Sequence, residues 1–159
     1  MFSLFAATWV IAAVIQLNEI YMATIDTEYA NTDFDLKSEA PFDALHQELS
    51  LRCLVLHYER GDDDHYRASY ESDHDGESKD CAARDILLIV DAINALSEVA
   101  KTQFETCYLR EFNIGFHCGD TFGFVHSIPD HAINAVSSAR CSLGVTLYPA
   151  RKPDGTPQM

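Results

Sequence analysis

Positive charge is scarce in this chain. Its 159 residues carry 11 Lys and Arg against 25 Asp and Glu, a formal net charge of −14. A sequence-independent grip on nucleic acid needs Lys and Arg to displace counterions from phosphates, so that class is excluded. Docking on an anionic membrane through a basic patch is excluded on the same ground. Paired cysteine is missing too. Cys53, Cys81, Cys107, Cys118 and Cys141 are odd in number, and none forms Cys-x-x-Cys. Zinc ribbons, redox dithiols and small disulfide scaffolds therefore lack their ligand spacing. There is no Walker or Rossmann phosphate loop, no Gly-x-Ser-x-Gly elbow and no His-Glu-x-x-His.

What the chain does have is an ordinary hydrophobic share, 47%, enough for one folded domain. Four of the cysteines sit in or beside apolar, strand-like runs, where a reduced Cys acts as a small buried hydrophobe. That usage fits a reducing cytoplasm. Residues 1–21 form a separate apolar segment, with no charge from Met1 to Leu17. No basic residue precedes the run as in a signal peptide, and none flanks it to orient a membrane helix. Three readings stay open: translation starts at Met22, the segment is an anchor, or it is a cleaved signal. The organised domain is expected over 22–150, with a mobile tail over 151–159.

Period-2 alternation marks a first strand from Ala23 to Leu36, and its phase slips near Ala30–Thr32, which predicts a bulge. Phe42, Leu45 and Leu49 then repeat at helical spacing. Cys53–Arg60 and Tyr66–Tyr70 flank the turn residues 61–64 as a hairpin. Residues 85–104 carry a broad apolar stripe that predicts one long helix. A strand over 108–118, a short helix before Val136 and a strand through Leu143, Val145 and Leu147 follow.

The expected order is β-α-β-β-α-β-α-β. It reads as an α+β fold, a two-layer sandwich related to the ferredoxin-like pattern, with a mixed, mainly antiparallel sheet and helices on one face. The final α-β crossover predicts a last strand parallel to its neighbour.

Three stretches carry a resemblance: Asn31-Thr-Asp-Phe-Asp-Leu36, Arg110-Glu-Phe-Asn-Ile-Gly-Phe116 and Leu143-Gly-Val-Thr-Leu-Tyr-Pro149. Together they resemble a group of small uncharacterised bacterial proteins, a domain-of-unknown-function family with an α+β sandwich. The resemblance implies a bacterial, stand-alone domain over about Ala23 to Pro149. It implies no activity, cofactor or catalytic residue.

Candidate sites rest on chemistry alone. Residues 59–85 are rich in acids, and Asp73-His-Asp-Gly76 loosely follows a calcium loop. The bidentate Glu that such a loop needs is replaced by Ala82. No metal ligand set, catalytic residue or cofactor is therefore assigned. Cys118, His126 and Asp120 contain the residue types of a nucleophilic triad, but alternation turns Cys118 toward the core.

The strongest candidate is the sheet face away from the helices. It carries His57, Glu59, His65, Arg67, Ser69, Glu71, Glu111, Asn113 and His117, and polar side chains on rigid strands bind directionally. Phe122 and Phe124, with Gly119 and Gly123, in the adjoining loop either rim it as a contact surface or tuck under the loop as a satellite of the core, the second being the expectation. His126 at the end of that loop joins the candidate set.

These features favour a non-enzymatic binding module for a protein with a basic surface, including an immunity-type role against a basic toxin, because opposite charge speeds encounter. A small or metal-dependent enzyme on the same face is the alternative, and a membrane-tethered domain the third.

Overall fold

A computed structural model describes residues 26–73, 82–120 and 122–150. The segment 1–21 and the tail 151–159 lie outside the described residues, as does most of the calcium-like loop. Among the described residues no helix is long and apolar enough to cross a membrane.

The chain is α+β, and its described residues form five strands in one mixed, open sheet and four helices. The elements run β1 (Glu28–Ser38), α1 (Asp43–Leu49), β2 (Cys53–Arg60), β3 (Tyr66–Ser72), α2 (Ala82–Asn94), α3 (Glu98–Thr106), β4 (Leu109–His117), α4 (Asp130–Ser138) and β5 (Ser142–Tyr148). Across the sheet the order is β2-β3-β1-β4-β5. All neighbours are antiparallel except β4 and β5, which the α4 crossover makes parallel, as expected.

Alternation divides the sheet into two faces. Thr32, Phe34, Leu36 and Ser38 of β1 are buried, while Asn31, Asp33, Asp35 and Lys37 between them are half-buried. Phe112, Ile114 and Phe116 of β4, with Ala68 and Tyr70 of β3, extend the buried face. Against it pack Phe42, Leu45 and Leu49 from the first helical segment, Ile86, Ile89 and Ile93 of α2, and Ala132 and Val136 of α4. The Phe34 and Phe112 rings meet at 4.8 Å. Each fully buried side chain of this size stabilises the fold by about 1.5–3 kcal/mol relative to exposure.

Polar groups in this core have partners. Asp85 is buried and accepts hydrogen bonds from the Tyr29 hydroxyl and from Ser72 Oγ, the latter at 2.8 Å. Tyr70 is fully buried, with its hydroxyl 3.0 Å from His46 Nδ1. The His46 ring stacks on Tyr58 at 4.2 Å. Burial lowers the His46 pKa, and a weaker pull from Asp43 acts against it.

One expectation fails in the helical layer. The single helix over 85–104 is two, so the order is β-α-β-β-α-α-β-α-β. The break has a local and a tertiary cause. Ser97 is an N-cap whose hydroxyl accepts from Ala100 N, a strong signal to begin a new helix. Glu48 at the end of α1 fixes it there, accepting from Ser97 N at 2.8 Å and Ser97 Oγ at 2.6 Å. Those bonds hold the Glu48 carboxyl below its ordinary pKa.

Candidate functional site

The half-buried face of the sheet is polar, and strand register builds it in rows. One row runs His57, Ser69, Asp35, Glu111, Ser142 across all five strands. The next places Asp33 beside Asn113 and Gly144, with Asn31, Gly115 and Thr146 beyond it. Glu28, His117 and Tyr148 close the far end, and Lys37, Arg67 and Glu59 the near end. The carboxylates Glu28, Asp33, Asp35, Glu71 and Glu111 outnumber the cations Lys37 and Arg67. Among the described residues no ion pair reaches any of these five carboxylates, and Arg67 pairs with Asp63 at 2.5 Å instead.

Crowding of like charge shows at Asp33. Its pKa is pushed up from 3.8 to about 6, first by burial, then by a hydrogen bond to Glu71, then by the charges of Glu71 and Asp35. Asn31 sits over the Asp33 and Glu71 carboxyls, its Nδ2 donating to Asp33 Oδ1 at 2.8 Å and Glu71 Oε1 at 3.0 Å. Those two acceptors fix the amide orientation, since reversing it would set oxygen against two carboxylates. Asn31 Oδ1 is consequently turned away from them. It is buried and has no hydrogen-bond partner. An orphaned acceptor of this kind costs about 1–3 kcal/mol.

Glycines form the floor. A Cβ at Gly115 would stand 2.4 Å from Asn31 Oδ1 and 2.8 Å from the Tyr148 ring, so only glycine lets both side chains lie across β4. At Gly144 a Cβ would come within 3.3 Å of the Glu111 carboxyl. Next to Gly115 a cleft of about 340 Å³ opens between Ala30, Asn31, His117 and Tyr148. The bulge predicted near Ala30 creates it. Tyr29 pairs with Phe116 and Asn31 with Gly115, leaving Ala30 unpaired and re-aiming Asn31 onto the polar face.

The residues expected here divide. His57, Arg67, Glu111, Asn113 and His117 all lie on the polar face. Glu111 accepts from Ser142 Oγ at 3.1 Å, and Asn113 accepts from Thr146 Oγ1 at 2.8 Å. His117 is exposed, with its ring 5.6 Å from that of Tyr148.

Phe124 and His126 do not rim this surface. Both rings rest edge-on against Phe116 at 5.0 Å, and Phe116 belongs to the buried face. Phe122 is fully exposed and Phe124 is 43% exposed, so the loop tucks one Phe in part and leaves the other in water. Asn31, Asp33, Asp35 and Tyr148 are the central residues that sequence reasoning left out of its candidate set. The phase slip at Ala30–Thr32 was the signal that could have found Asn31.

Among the described residues no group of three or more His, Cys, Asp or Glu is placed to hold a metal ion. Burial pushes the thiols of Cys53, Cys107 and Cys141 up to about 11, which keeps them as weak nucleophiles. In comparisons with known proteins, no family model matches the chain, and no curated protein or solved structure is similar to it.

Proposed function

We propose that this chain is a non-enzymatic binding module whose polar sheet face receives a basic protein partner. The observation that carries the reading is the set of carboxylates Asp33, Asp35, Glu71 and Glu111 on this face, which no ion pair among the described residues reaches. Burial first, then the hydrogen bond and charge of Glu71 and the charge of Asp35, lift Asp33 to about 6, and a Lys or Arg laid across Asp33, Asp35 and Glu71 offsets the charge part of that rise. The charged side chains stand on paired strands, which fixes their spacing and lowers the entropy lost on docking. A net charge of −14 draws a basic partner in from a distance and speeds encounter. An immunity protein that holds a basic toxin is one instance of such a module.

The same reading extends to the architecture. The order β2-β3-β1-β4, antiparallel throughout, supports a ferredoxin-like unit extended by α4 and β5. In this arrangement the described helices cover the buried face, and the polar face stays open to a partner.

Matched charge variants test the proposal. Asp33→Asn, Asp35→Asn and Glu111→Gln together remove charge from the face. Asp62→Asn, Asp91→Asn and Glu105→Gln remove the same charge from exposed positions off the face. Polylysine affinity at low salt is expected to fall at least about tenfold in the first variant and to change little in the second. Equal losses in both would reduce the effect to net charge and overturn the proposal.

A further inference from the structure

We propose that the cleft between the β1 bulge and the end of β5 is a seat for a primary ammonium group that donates a hydrogen bond to Asn31 Oδ1 beside the Tyr148 ring. This rests on the reading of the polar face as a surface for cations and names the anchor that the face takes.

The chemistry of the cleft selects this class. The unpartnered Asn31 Oδ1, buried beside the Tyr148 ring over Gly115, is an acceptor, so an occupant that reaches it must donate a hydrogen bond, and an anion cannot. The amide cannot flip to present a donor instead, because Nδ2 is held by Asp33 and Glu71. Those carboxylates lie behind the amide and Glu28 stands in the row of His117 and Tyr148, so the local field favours a positive charge.

Tyr148 supplies an aromatic wall, against which an ammonium is attracted by the ring quadrupole. A single acceptor suits the compact head of an ammonium better than the planar fork of a guanidinium, which wants paired acceptors. With about 340 Å³, the cleft has room for the alkyl stem as well.

Asn31 Oδ1 and the ring edge of Tyr148 lie side by side in the space that the missing Cβ of Gly115 leaves open. Tyr148 ends an edge strand, and its backbone is fixed where its carbonyl accepts from Cys118 N at 2.8 Å. The ring can therefore turn about its side-chain torsions while the strand stays paired. An entering ammonium moves the ring aside and takes up the buried oxygen. The group can belong to a free alkylamine or to a lysine side chain, since both present the same head and stem.

The test is an NMR titration of the full chain with butylammonium, Nα-acetyl-lysine methylamide and, as a neutral control, butanol. Saturable shifts are expected at the Asn31 side-chain amide and the Gly115 and Tyr148 backbone amides with the butylammonium salt and not with butanol. Comparable binding of the lysine derivative assigns a protein side chain as occupant, and binding of butylammonium alone assigns a free amine.

Tyr148→Leu is expected to weaken binding about three- to fivefold, and Tyr148→Phe to preserve it. Gly115→Ala is expected to abolish it, and the Tyr148 pair keeps the test valid should that variant fail to fold. Identical shifts with butanol, shifts that never saturate, or undiminished binding by Tyr148→Leu would overturn the inference. A saturating amine with an unshifted carboxylate row under polylysine would leave the cleft standing and remove the partner reading. The reverse pattern removes the cleft alone.

Discussion

Replacing Asp33 with Asn is expected to stabilise the protein at neutral pH, although it removes a hydrogen-bonded, half-buried group. Asp33 titrates near 3.8 in an unfolded chain and at about 6 in the folded one. Between those values the folded state holds the proton more tightly, so protonation favours folding. The penalty for ionising Asp33 is fully present above about pH 6. It shrinks as the pH falls and is gone below about 3.8.

At about 1.4 kcal/mol per pH unit the full displacement corresponds to ~3 kcal/mol. Solvent screening at a half-exposed site reduces this to about 1 kcal/mol. The Asn side chain accepts from Asn31 Nδ2 through its oxygen and donates to Glu71 through its nitrogen, so both bonds survive without the charge. Urea unfolding of both proteins at pH 7.5 and pH 4.5 reads the effect. The difference between them matters, not the wild-type slope, because His46, lowered by burial, makes the fold lose stability as pH falls below its ordinary 6.5. The variant should lead by about 1 kcal/mol at pH 7.5, with the gap closing toward pH 4.5. A variant less stable than wild type at pH 7.5, or a gap independent of pH, would refute the crowded-carboxylate argument.

Other expectations follow from packing and capping. Phe124→Ala should cost about 1–2 kcal/mol, less than a fully buried Phe, and Phe122→Ala should stay within about 0.5 kcal/mol, both read by thermal unfolding. Ser97→Ala should cost about 1 kcal/mol through loss of the α3 cap, with its partner Glu48 titrating closer to its ordinary pKa in NMR. Tyr70→Phe should cost about 1–2 kcal/mol because it leaves His46 Nδ1 without its buried partner, checked by denaturant unfolding near neutral pH.

Local patterns made the strands legible. Phe34 and Leu36 alternate with Asp33 and Asp35, and their burial follows. The phase slip at Ala30 is a register shift in the β1–β4 ladder, and the acidic turn after Arg60 closes a hairpin with Asp64 at a positive φ of 65°. What local pattern could not carry was contact between distant segments. The stripe of Leu96, Val99 and Ala100 suits one helix, yet Val99 is 63% exposed because Glu48, far back in the chain, holds Ser97 as a cap.

Similarly, Asn31 and Glu71 meet only because β1 pairs with β3, and His117 reaches Tyr148 only through the parallel β4–β5 pairing. His126 was grouped with His117 on nearness in sequence. The two fall on opposite sides of the sheet, since adjacent positions such as Phe116 and His117 point apart.

The central claim is that the polar face, and not the acidic chain at large, engages cations. A residue-by-residue NMR footprint of polylysine on the wild-type chain tests it most directly. The account predicts shifts concentrated at Asn31, Asp33, Asp35, Glu71 and Glu111 that vanish at 1 M salt, where screening acts within about 3 Å. Shifts confined to the acidic turn at 62–64, with the sheet face unmoved, would contradict it.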